Sequence, residues 1–117
     1  MKIFFTLALI FLAACSKHPG KSKDRVLTQQ LSLAVQMYEE EYGERIVDLS
    51  NKNVLLLVTG ENEKKIKFYS IGLEKLDDEG NILDLWGTQI KFKRNEQGRL
   101  VAVSAGKDRK FGTDDDI

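Results

Sequence analysis

An α+β fold class, with one amphipathic helix packed on a small antiparallel sheet, is what the sequence predicts. Three observations predict it. Apolar residues recur at helical spacing from Asp24 to Tyr42. Alternating residues and their return flank a turn at Asn95-Glu96-Gln97-Gly98. After Ser104 the chain becomes rich in glycine and aspartate. Periods of 3.6 and 2 separate a helix from a strand, because they place apolar groups on one face of each.

Leu27, Leu31, Ala34, Tyr38 and Tyr42 form the helical stripe, with Val35 beside it. Asp24 suits a helix start and Gly43 suits the position just past the end. Val26, Leu33 and Met37 widen the apolar surface, which a sheet or a partner would cover. Ser50 is placed to cap a short second helix through Val58, closed by Gly60. A buried strand over Val54–Val58 is the alternative, since a continuous apolar run has no diagnostic period. Lys65 to Tyr69 alternates charged and apolar residues and reads as a short edge strand. Asp77-Asp78-Glu79-Gly80-Asn81 reads as a turn. Ile90 and Phe92 alternate with Gln89, Lys91 and Lys93, and Leu100 to Ser104 returns as the second arm of a hairpin. Gly98 supplies the positive φ of its turn. Trp86, just ahead of the hairpin, is expected to anchor the core between helix and hairpin.

The chain opens on Met1-Lys2, then runs apolar from Ile3 to Ala14 and meets its one cysteine, Cys15. A charged start, an apolar stretch and small residues before a cut make a secretory signal. The alternative is a membrane-spanning helix, but about a dozen apolar residues fall short of the ~20 that span a bilayer. Leu12-Ala13-Ala14-Cys15 resembles the lipobox of bacterial lipoproteins. That resemblance implies acylation of the Cys15 thiol and cleavage before it. Residues 1–14 are then a signal peptide, 15–23 a lipid-anchored linker and 24–117 the domain. Ser16 stands where an aspartate would favour inner-membrane retention in Gram-negative cells. The implied address is the cell envelope, at the outer membrane facing the periplasm.

About a hundred residues remain after such a cut, enough for one small domain. The 18 Lys and Arg balance the 18 Asp and Glu, and no basic stripe interleaves with aromatics, so nucleic acid is not an expected partner. Without a second cysteine no disulfide staples the domain, a task a metal can take over. His18 is the one histidine and lies in the linker, which leaves no His-based triad or zinc cluster. No Gly-x-Ser-x-Gly elbow occurs. Gly106-Lys107 is followed by Asp108, and Val101 stands where a phosphate loop has its first glycine. Carboxylates are plentiful, but runs such as Glu39-Glu40-Glu41 read as a solvated face. The expectation is a protein that is not an enzyme.

The ending is the strongest local signal. Asp108 precedes three consecutive aspartates, Asp114 to Asp116, with Gly106 and Gly112 to bend the backbone. Calcium takes six to eight oxygens from carboxylates, carbonyls and water, and such a loop can supply most of them. A frayed acidic tail is the alternative from spacing alone.

Asp84-Leu85-Trp86-Gly87-Thr88-Gln89, then Ser104-Ala105-Gly106-Lys107-Asp108, then Gly112-Thr113-Asp114-Asp115-Asp116-Ile117, resemble the C-terminal part of the major pseudopilins of type II secretion systems. Their pattern is Asp-Pro-Trp-Gly-x-Pro, a hairpin, Ser-x-Gly-x-Asp-Gly and a Gly- and Asp-rich ending. Ala34–Gly43 and Thr59-Gly60-Glu61-Asn62 extend the resemblance more weakly. It implies a helix on a small antiparallel sheet with calcium organising the C-terminal loop. Asp108, Asp115 and Asp116 match the carboxylate ligands and Ala105 a carbonyl ligand. Lys110 is a further carbonyl candidate, and Asp114 a substitute for a neighbour. The chain departs from the pattern at Leu85 and Gln89, which replace prolines, and at Arg109, which replaces glycine. It also lacks the Tyr-Pro after the helix, and a lipobox stands where the family has its prepilin leader and long apolar assembly helix. The implied role is structural or accessory to a secretion or pilus-like apparatus. The alternative is an envelope enzyme or ligand-binding lipoprotein using surface carboxylates.

Overall fold

A computed structural model describes residues 19–72 and 76–117, with side chains from residue 23. Cys15, the expected signal segment and most of the expected linker lie outside the described residues. Among the described residues, two helices and a two-stranded antiparallel sheet follow one another as α1 (Pro19–Tyr42), α2 (Asn51–Val58), β1 (Lys91–Arg94) and β2 (Leu100–Val103). The α+β class is as the sequence predicts.

Helix α1 starts five residues before Asp24, at Pro19. Proline suits a first helical turn because its missing N–H has no intrahelical partner there. Asp24 is therefore inside the helix rather than at its start. Gly43 ends it at φ +65°, its N–H donating to the Glu39 carbonyl at 2.9 Å. Leu31, Ala34 and Val35 are buried, and Leu27 and Tyr38 pack against the same core. Val26, Leu33 and Met37 are exposed.

The apolar run after Ser50 is helical. Val54, Leu55 and Val58 face the core at helical spacing while Leu56 is exposed. Ser50 occupies the cap position without a side-chain cap bond. Instead Asn51, in the first turn, is buried and reaches across the fold. Its amide donates to the carbonyls of Ile82 at 2.9 Å and Ile90 at 2.7 Å, and its oxygen accepts from the Ile82 N–H at 2.7 Å.

Lys65–Tyr69 is not a strand. The amide of Asn62 donates to the Leu57 and Ile66 carbonyls, and its oxygen accepts from the Ile66 N–H. The N–H groups of Phe68 and Tyr69 both donate to the Val58 carbonyl. These hydrogen bonds go back to the end of α2 and the loop that follows it. Alternation describes a half-buried strand only where a partner strand takes the backbone groups.

The hairpin pairs Lys91 with Val103 and Arg94 with Leu100 around the expected turn, with Gly98 at φ +79°. Phe92, Ala102 and Leu100 turn into the core. The outer edge of β2 meets α1 directly: the Ala102 N–H donates to Ser32 Oγ, and Gln36 Nε2 donates to the Leu100 carbonyl. Ile82 joins the sheet side through its bridge to Leu76 and its carbonyl bond from Ile90. Leu31, Val35, Val54, Val58, Ile82, Ile90 and Leu100 are all at most 1% exposed and form the centre of the core. Trp86 is only half-buried, at the margin, with its indole N–H shut from solvent and without a partner. The expectation that it anchors the core is corrected: smaller aliphatic side chains fill that space.

Candidate functional site

The C-terminal segment folds back on the hairpin. Ser104 and Ile117 exchange backbone hydrogen bonds, N–H to carbonyl, at 3.0 and 2.8 Å. This return forces a close approach at Gly106. A Cβ there would lie 2.2 Å from the Asp115 carbonyl oxygen, and its φ is +80°. Only glycine fits both conditions.

Between Gly106 and Asp116 the loop is held by its own acceptors. Asp108 accepts from the Lys110 N–H at 2.9 Å and from the Thr113 hydroxyl at 2.6 Å. The Thr113 hydroxyl, then the Lys110 N–H, hold the Asp108 carboxyl below its ordinary value. Asp115 Oδ2 accepts from the Asp108 N–H at 3.1 Å. Asp116 Oδ2 accepts from the Gly112 N–H at 2.8 Å, while Asp116 Oδ1 is shut from solvent and has no partner. Asp108 and Asp114 are exposed, Asp115 and Asp116 half-buried, and Ala105 fully buried. The structure thus brings Ala105, Asp108, Asp115 and Asp116 into one loop. Among the described residues no three Asp, Glu, His or Cys side chains gather closely enough to hold a metal ion as they stand. Arg109 holds φ +59°, in the left-handed region that favours glycine.

Three groups of carboxylates and amides outside the candidate loop carry much of the architecture. Glu39, read as part of a solvated acidic run, forms a forked ion pair with Arg94 at 2.6 and 2.7 Å. It also accepts from the Ile46 N–H, and Arg94 donates onward to the Ile46 and Gly98 carbonyls. Burial alone would raise the Glu39 carboxyl, but the bonds from Arg94 and Ile46 outweigh it and hold it low. Asp24 and Asp84 are buried on either side of the Ser104 hydroxyl. Asn51 and Asn62 tie loops to helices as described above. The contacts of Glu39, Asp24, Asp84 and Asn51 join residues far apart in the chain, so no local spacing marks them.

The clefts along α1 are shallow surface features. One, between the C-terminal half of α1 and the hairpin turn, is lined by Leu33, Met37, Glu40, Glu44, Arg45 and Arg99 among others. Acidic and basic groups share that lining. Among the described residues no helix is long and apolar enough to cross a membrane.

No known protein family matches the chain, and neither a curated protein nor a solved structure matches it.

Proposed function

We propose that this chain is a lipid-anchored, non-enzymatic protein of the bacterial envelope. Its pseudopilin-like domain is closed by a calcium-binding C-terminal loop. It serves as a structural or accessory part of a type II secretion or pilus-like apparatus. The lipid on Cys15 holds it to the outer membrane, on the periplasmic side.

The observation that carries the reading is the fold-back of the acidic ending onto Ser104 through Gly106. It holds Asp108, Asp115, Asp116 and Ala105 in one folded-back loop rather than a frayed tail. Two details support it. Asp116 Oδ1 is a buried oxygen without a partner, and an all-oxygen donor set suits a hard cation. Arg109 adopts a glycine-favouring backbone where the pseudopilin pattern has glycine. Asp108, Asp115 and Asp116 would hold the ion through their carboxylates and Ala105 through its carbonyl, the side chains turning from the loop's own donors toward it. Bound calcium would supply charge neutralisation and cross-linking of the loop, not chemistry on a substrate.

Calcium that binds the folded domain stabilises it by mass action, about 2.7 kcal/mol at a hundredfold excess over its dissociation constant. Unfolding of the full chain in calcium and in chelator measures this. Asp108→Ala and Asp115→Ala are each expected to remove most of the gain, while Glu40→Ala, on the exposed face of α1, keeps it. Identical curves in calcium and chelator at millimolar metal would refute the ligand assignment.

The anchor is tested separately. Mass spectrometry of membrane-extracted protein is expected to find a mature N-terminus at Cys15 carrying acyl mass. Mature protein that retains Met1–Ala14 would sink the lipoprotein reading.

A further inference from the structure

Asp24, Ser104 and Asp84 meet in the interior at 1%, 0% and 3% exposure. Ser104 Oγ lies 2.9 Å from Asp24 Oδ2 and 2.8 Å from Asp84 Oδ2. Each of these contacts needs a hydrogen between its two oxygens, and a serine hydroxyl supplies only one. The Gly106 N–H also donates to Ser104 Oγ, at 3.1 Å. The second hydrogen must come from a carboxyl group.

The surrounding donors decide which one. Asp84 Oδ1 accepts from the N–H groups of Trp86 and Thr88, both at 2.9 Å. Asp24 accepts from a single backbone donor, the Leu85 N–H at 2.8 Å. The better-solvated charge is therefore on Asp84. Among the described residues no cation balances a second one. Leu100–Gly106 carries no ionisable side chain, and Ile82–Ile90 carries only Asp84. Lys23 and Arg25, which flank Asp24 on α1, are exposed. Asp116, next to the tail residue that pairs with Ser104, is one more carboxylate at this end of the domain. Among the described residues, no lysine or arginine hydrogen-bonds either buried carboxyl.

We propose that Asp24 enters the folded domain protonated, donating to Ser104, which in turn donates to the Asp84 carboxylate. One shared proton thereby locks α1, the Trp86 turn and the C-terminal loop together, and unfolding releases it. Ser104 Oγ then gives one hydrogen bond and accepts two, which fills its capacity. Burial first, and the neighbouring Asp84 charge as a lesser cause, both raise the Asp24 carboxyl above its usual range. The Leu85 N–H opposes them, as does the nearby Trp86 indole dipole, which does not reach hydrogen-bond geometry; the Ser104 hydroxyl opposes them only where it turns to donate to an ionised Asp24.

The sign follows from proton counting. Above about pH 4 an unfolded aspartate is ionised, while the folded domain keeps its proton until the pH passes the raised folded value. In that window the folded state binds more protons, so stability falls as pH rises. Acid strengthens the joint.

Urea unfolding of the full chain in detergent, from pH 5 to 7, tests this. One retained proton lowers the folding constant by up to about tenfold for each pH unit. In Asp24→Asn an amide N–H replaces the carboxyl O–H, so the variant is expected to fold at pH 7 and to lose this slope. In Asp24→Asn/Asp84→Asn too many donors point at Ser104, so the double variant is expected to be weaker than Asp24→Asn alone. A midpoint that is flat or rises between pH 5 and 7, or a slope unchanged in Asp24→Asn, overturns the proposal. Carboxyl-carbon NMR of the unaltered protein gives a reading that needs no variant. Asp24 is expected to keep its proton at pH values where a free aspartate has lost it, and ionisation along the free-aspartate curve would equally overturn the shared proton.

Discussion

Asn51→Ala is expected to destabilise the domain by on the order of 3 kcal/mol, because it orphans two buried backbone groups at once. The Ile82 N–H and the Ile90 carbonyl have the Asn51 amide as their partner. The Ile82 carbonyl keeps its bond from the Ile90 N–H and is spared. Each orphaned group costs roughly 1–3 kcal/mol, and a small domain has only about 5–15 kcal/mol in total. Asn51→Asp should be no rescue. It keeps the acceptor for the Ile82 N–H, loses both donors and buries a charge. Asn53→Ala makes the control, since its amide bonds the Asp48 carbonyl near the surface. Chemical denaturation measures all three. An Asn51→Ala midpoint close to that of Asn53→Ala would show that water or a shift of the strand replaces the lost bonds.

Arg94→Ala should cost about as much, roughly 3 kcal/mol, because it leaves Glu39 charged in a mostly dry setting. The two side chains are 22% and 15% exposed, so solvent screens the pair only partly. Arg94→Lys keeps the charge but loses the fork that binds both carboxylate oxygens, and should fall between. Replacing both partners by methionine should recover much of the loss, since no charge is then stranded. The pair also sets a pH dependence. The Glu39 carboxyl lies below its ordinary value of 4.5 when folded. Its contribution is therefore complete above that value and is lost as the pH falls through the lower folded one. In Arg94→Ala the acid limb of the stability profile should be shallower. An unchanged limb would mean that the pair does not govern acid unfolding.

The sequence displayed the core-facing stripe of α1 and the hairpin, because both repeat locally with the period of their backbone. The helix start escaped because Pro19 was read with the polar residues around it as linker, although proline is also a first-turn residue. Lys65–Tyr69 misled for another reason. Its alternation is real, but Asn62 and the Val58 carbonyl claim its hydrogen bonds. Trp86 shows that size alone does not choose the core, since branched aliphatic residues from four segments fill it first. The candidate loop was legible as a set of residue types with glycines between them. Its fold-back was not, because the contact of Gly106 with Asp115 depends on where the hairpin releases the chain. The meeting of Asp24, Asp84 and Ser104 left no mark, because it spans up to 80 residues.

The way α1 meets β2 bears on how copies of this protein behave when crowded. A two-stranded ribbon ordinarily offers bare rims to which further strands add, the route to fibres and to swapped partners. Here Ser32 and Gln36 occupy that rim at Ala102 and Leu100, and Ile117 occupies it at Ser104. The helix thus does the work of a third strand with side chains instead of backbone. Neighbouring copies find no template along β2, and any association through that side must be between folded surfaces.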